Sequence, residues 1–100
     1  MPLLYVPCRD NKEAEKISIE LLKKKLIACS NVIPIKSRYS WKGKIEKSNE
    51  TLVIAKTSKK NAKKAESIVR KMHSYKIPAV ILVDSKSNKD FDKWVNSVMG

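Results

Sequence analysis

Residues 29–57 read CSNVIPIKSRYSWKGKIEKSNETLVIAKT, and this stretch limits the fold more than any other. On one parity of its first half stand Ile33, Ile35, Ser37, Tyr39 and Trp41; on the other stand Val32, Pro34, Lys36, Arg38 and Ser40. Period-two patterning makes residues 30–41 a strand. At about 3.3 Å per residue it reaches roughly 40 Å, twice the usual length of ~5–6 residues. A domain of ~100 residues has a radius of gyration near ~13 Å. The stretch is therefore expected to project past its own domain as a hairpin and to need a partner for its aromatic end.

Around it the chain alternates elements. Leu3 to Val6 is a continuous apolar run, an inner strand that Pro7 should end. Asp10 opens a helix with Glu13 three positions on, an acidic version of the capping box, and the helix runs to about Ala28. In the hairpin, Lys42-Gly43-Lys44 marks a turn or a bulge, and Ser48-Asn49 is an equal candidate for the reversal. Residues 50–56 form the returning strand, expected in the middle of a sheet. Thr57 or Ser58 caps a second helix over residues 59–73, whose core stripe is Ala62, Ala65, Val69 and Met72. Residues 79–83 are apolar and rich in β-formers, and Asn88 caps a last helix carrying Phe91, Trp94, Val95 and Val98. The order β-α-β-β-α-β-α predicts one domain over residues 1–100 with an α+β, ferredoxin-like βαββαβ fold: one antiparallel sheet, two helices on one face, a long β2-β3 hairpin and an extra C-terminal helix.

Composition narrows the function classes. A hydrophobic content of 42% supports a folded core rather than a basic tail. The net charge of +12 raises the question of a polyanion partner, but nearly all of it is Lys, with Arg only at 9, 38 and 70. An RNA-binding sheet of this topology stacks bases on aromatics of its two central strands. Here those strands offer Tyr5 alone, so a nucleic-acid-binding domain is the alternative reading rather than the favoured one. A basic helix face of Lys12, Lys16, Lys23 and Lys24 reads as a solvated surface. Two cysteines make no disulfide framework. With no leader-like start and no apolar run of spanning length, the expectation is a cytoplasmic protein with no membrane partner. A single histidine, no Ser-His-Asp order and no paired carboxylates argue against an enzyme.

Several local patterns coincide. Ala28-Cys29-Ser30-Asn31-Val32-Ile33-Pro34 precedes Ser37-Arg38-Tyr39-Ser40-Trp41-Lys42-Gly43-Lys44-Ile45; Glu50, Lys56-Thr57, His73-Ser74-Tyr75-Lys76-Ile77-Pro78 and Trp94-Val95 follow. Together they resemble the CutA family, the divalent-cation tolerance proteins, over nearly the whole chain. The resemblance implies a cytoplasmic homotrimer whose long hairpin strands pair across subunits, much as in signalling proteins of the PII class. It also implies a link to copper tolerance and divalent-metal binding, with Cu²⁺ or another divalent metal as cofactor and no assigned partner protein.

Copper and zinc favour thiolate and imidazole. The family's metal-linked cysteine near the end of the first strand corresponds to Val6 here, with Cys8 two residues later, and its histidine corresponds to His73. Cys8 and His73 are therefore the candidate metal ligands. The plainer reading of His73 is a helix-terminal residue bonded to a carbonyl, and of Cys29 a small buried side chain. Glu50 and Lys56 share a strand face with Leu52 and Ile54, where a charge needs a partner or a ligand. They make either a salt bridge between subunits or, with Arg38, Tyr39, Trp41 and Tyr75, an intersubunit ligand cleft. Tyr39 and Trp41 equally suit plain packing at a subunit contact.

Overall fold

A computed structural model describes residues 1–100. The chain forms β1 (Pro2–Cys8), α1 (Asn11–Lys23), β2 (Cys29–Trp41), β3 (Lys44–Lys56), α2 (Ala62–Met72), β4 (Ile81–Asp84) and α3 (Lys89–Met99). The four strands make one antiparallel sheet in the order β2-β3-β1-β4. This is the expected ferredoxin-like α+β arrangement with a third helix appended. The returning strand β3 lies inside the sheet, as expected.

Alternation sorts the sheet into two faces. Leu4, Val6 and Cys8 of β1 and Val53 and Ala55 of β3 join Ala14, Ile17 and Leu21 of α1 and Ala65 and Val69 of α2 in the core. The opposite face, with Tyr5, Ile33, Ile81 and Val83, stays about half exposed. The last helix does not cover it. Val95 and Met99 of α3 pack instead on Ala28, beside Met1 and Phe91.

Four boundaries differ from the sequence reading, each for a local reason. First, β1 does not stop at Pro7 but continues to Cys8, paired with Thr51 of β3. Pairing with β4 ends at Tyr5, so the missing N–H of Pro7 falls where no strand needs it. Second, α1 ends at Lys23 rather than near Ala28. Lys25 takes a left-handed backbone (φ 57), while Leu26 N–H donates to Leu21 O and Lys25 N–H to Leu22 O, each at 3.0 Å. That is a Schellman closure with lysine where glycine is usual.

Third, the hairpin reverses at Lys42-Gly43, with Trp41 opposite Lys44. Both turn residues have positive φ, 49 and 77, the type I′ pattern whose twist suits a two-residue hairpin. Ser48 and Asn49 are mid-strand, so β3 begins six residues before Glu50. Two strands of 13 residues result, and the molecule measures 45 × 24 × 21 Å. Fourth, α2 starts at Ala62, because residues 58–61 form a turn closed by Ser58 Oγ accepting from Asn61 N–H (3.2 Å). Thr57 is no cap; its hydroxyl donates to Leu26 O (2.7 Å) and ties the α1–β2 loop to the sheet.

Candidate functional site

The C-terminal end of β1, the first turn of α1 and the C-terminal end of α2 meet at one point. Asp10 caps α1, its Oδ1 accepting from Glu13 N–H (2.9 Å). The reciprocal half of the capping box is missing. Glu13 instead turns inward, where Oε1 accepts from Arg9 N–H and Oε2 from Ser74 N–H, each at 2.8 Å. His73, just past α2, places Nδ1 3.9 Å from Glu13 Oε1. Cys8, Glu13 and His73 are all buried, with one donor atom of each within 4.8 Å of the others. Both metal candidates thus come together, and Glu13 joins them. Its signal was in the sequence: Glu13 precedes Ile17 and Leu21 by four and eight positions, on the apolar stripe.

Every polar group here already has a partner. His73 Nε2 lies 2.8 Å from Pro7 O, and Tyr75 N–H donates to His73 Nδ1 (3.1 Å). A carbonyl only accepts and an amide N–H only donates, so these bonds place the ring proton on Nε2. The Cys8 thiol donates to Val6 O (3.7 Å). Burial, reinforced by the Glu13, Glu50 and Asp10 carboxylates, pushes that thiol up to about 12. Burial also presses Glu13 upward, but the N–H groups of Arg9 and Ser74, with His73 nearby, outweigh it and hold Glu13 below its ordinary value.

Thiol, imidazole and carboxylate are a fitting donor set for a borderline cation, though one donor short of a closed four-ligand site. Cys8 must lose its proton to coordinate, and a ring nitrogen of His73 must give up a hydrogen bond. Both requirements weaken metal binding and make it depend on pH.

The six cleft candidates do not form one site within the chain. Tyr75 bridges the cluster to the hairpin: its ring lies 4.7 Å from His73, and its hydroxyl donates to Glu50 Oε2 (2.6 Å). Burial first, then this bond, raises the Tyr75 phenol, with Tyr39 also within electrostatic reach. Glu50 and Tyr75 therefore belong together, while Tyr39, opposite Glu46, stands farther out along the same face of the hairpin. Trp41 stands at the hairpin tip, 52% exposed, with Lys42 Nζ 6.0 Å from its ring. Lys56 shares Glu50's face but lies six residues, about 20 Å, along the strand, where Nζ donates to Asn31 Oδ1. Arg38 is on the other face altogether, opposite Lys47, its Nη1 donating to Ser37 O (3.0 Å).

Comparison with known proteins agrees with this architecture. The family model described as CutA1 divalent ion tolerance protein matches residues 2–98. A divalent-cation tolerance protein CutA of Archaeoglobus fulgidus is 36% identical over 97 residues, covering 96% of this chain and 95% of that protein. A solved structure from the same organism, described as a periplasmic divalent cation tolerance protein CutA, superposes with a TM-score of 0.95 at 35% identity, covering 100% of both chains. The divalent ion tolerance protein CutA1 of Ehrlichia chaffeensis gives a TM-score of 0.94 at 35% identity, over 99% of this chain and 94% of that one. With its sheet order, long hairpin and near-complete sequence match, this chain belongs to the CutA1 divalent ion tolerance family.

Proposed function

We propose that the chain serves divalent-cation tolerance as a homotrimer that holds a cation, Cu²⁺ foremost, on Cys8 and His73 with Glu13 as third donor. The observation that carries this reading is the convergence of the three side chains at the end of β1. Because the Cys8 proton must leave, Cu²⁺ affinity is expected to rise with pH. The test is a Cu²⁺ titration of wild type against Cys8→Ala, His73→Ala and Glu13→Gln, with circular dichroism to confirm folding. A loss of tenfold or more in the folded variants supports the site; equal affinities remove these residues from it.

The half-exposed apolar sheet face supports the trimer, since Tyr5, Ile33, Ile81 and Val83 gain most from a second copy. Trimer formation would let Trp41 and Lys56 approach a neighbour's Glu50–Tyr75 pair and complete a ligand cleft for PII-like signalling, with Arg38 left on the opposite face. Two free thiols suit a reducing, cytoplasmic setting. No helix is long and apolar enough to cross a membrane. The family is one of cation-tolerance proteins rather than a known enzyme class. The nucleic-acid alternative gains no support: β1 and β3, the central strands, carry Tyr5 as their single aromatic.

A further inference from the structure

The distal hairpin carries a charge arrangement that the cation reading does not use. On the face opposite Tyr39 and Glu50, Arg38 of β2 sits directly across from Lys47 of β3, and Lys36 sits across from Asn49. Like charges at directly opposed positions of an antiparallel pair destabilise it. Nothing on the chain relieves this pair. The hairpin's two acids, Glu46 and Glu50, lie opposite Tyr39 and Ile35 and so point to the other face. Neither of the chain's two ion pairs, Arg9–Asp10 and Lys24–Glu20, involves Lys36, Arg38 or Lys47. These cations, with Ser48 and Asn49, line an open groove of about 390 Å³. Apart from the single Arg38 bond to Ser37 O, their side-chain donors are free to face a ligand. The comparable basic groove along α2, beside Lys63, Arg70, Lys71 and Lys76, contains Glu66 as an internal countercharge; the hairpin groove has none.

We propose that this groove is an anion site that takes a compact phosphoryl group between Arg38 and Lys47, with Lys36 and Asn49 beside it. Arg38 supplies a planar fork suited to two phosphate oxygens, and the lysines supply point charges. An anion seated there turns a repulsive cross-strand pair into two attractive contacts. Binding would therefore stiffen the hairpin that the trimer reading uses, yet it requires no metal and does not depend on the cluster at Cys8.

The probes are inorganic pyrophosphate and ADP, added to the full chain and followed by calorimetry and thermal melting at low and high salt. Wild type is expected to bind pyrophosphate, to melt higher with it, and to lose affinity as salt rises. Equal affinity for ADP would assign the site to the phosphoryl group alone, and at least tenfold tighter ADP binding would assign it to a nucleoside diphosphate. Lys47→Glu replaces the repulsive pair with an attractive one. It should raise the melting point of the unliganded protein and weaken pyrophosphate at least tenfold. Arg38→Gln should weaken it similarly, and it serves if Lys47→Glu folds poorly. The proposal is overturned if both variants bind as wild type does, or if wild type ignores both anions. It is also overturned if Lys47→Glu lowers the oligomer mass, since the countercharge would then be a carboxylate of a neighbouring copy.

Discussion

The Cys8–Glu13–His73 cluster and the distal hairpin make opposite use of polar groups. In the cluster each polar group is paired within the chain: Glu13 takes two backbone N–H groups, and His73 engages both ring nitrogens. The hairpin beyond Ile35 does the reverse. Trp41 is 52% exposed, Ile45 77% and Tyr39 46%, and Arg38 faces Lys47. One region is complete within the chain, while the other has apolar area and charge that gain from something outside it. A buried polar group must be satisfied by its own fold, whereas an exposed strand pair can wait for a partner. The difference separates what holds this chain together from what it offers to others.

The hardest test of that contrast is assembly. Ile33→Glu puts a charge on the open sheet face, and sedimentation is expected to show the proposed trimer replaced by monomer. An unchanged mass would mean that the apolar face is not the contact. Next comes the cluster itself. Glu13→Ala removes the carboxylate that accepts from the N–H groups of Arg9 and Ser74, and at ~1.5–3 kcal/mol for each hydrogen bond to a charged group the loss should be about 3 kcal/mol in denaturant unfolding. A loss comparable to an exposed substitution, within ~0.5 kcal/mol, would show that the cluster is not the closed unit described.

Titration sharpens the same point. The Cys8 thiol is raised in the folded chain from 9.0 to about 12. Its contribution to stability is therefore complete below about 9, and it is lost as pH rises toward about 12. Cys8→Ala should flatten that alkaline decline in melting temperature. Glu13 runs the other way: its value is lowered from 4.5, so its contribution is present above that pH and is lost on further acidification. The smallest expected effect belongs to the hairpin turn. Gly43 has φ 77, and a Cβ there would meet nothing within 4 Å. Gly43→Ala therefore carries only the left-handed backbone penalty, about 1 kcal/mol. A larger loss would show that the turn is packed rather than free.

Much of this was legible in the residues. Alternation at 33, 35, 37, 39 and 41 announced a strand too long for its domain, and the αβ order announced the sheet. Glu13 was legible only in part. Its spacing from Asp10 suited a capping box, of which only the Asp10 half forms, and its spacing from Ile17 and Leu21 was a sign of burial that the capping reading passed over. The six cleft residues were less legible because parity within one strand cannot say which parts of that strand lie near each other. Arg38 and Tyr39 are neighbours in sequence yet point to opposite faces. Glu50 and Lys56 share a face and are still far apart.

The sequence by itself determined the elements, their order and the family, because those depend on local periodicity and on motifs spread along the chain. Only the tertiary structure decided that the strand runs through Pro7 to bring Cys8 to His73, that Glu13 closes the cluster, and that Arg38 confronts Lys47 across the hairpin. Those pairings join positions far apart in the chain, as with His73 and Pro7, 66 residues apart, or depend on where the hairpin turns. A reversal at Lys42-Gly43 rather than Ser48-Asn49 changes every cross-strand partner at once, since register fixes which residues face each other.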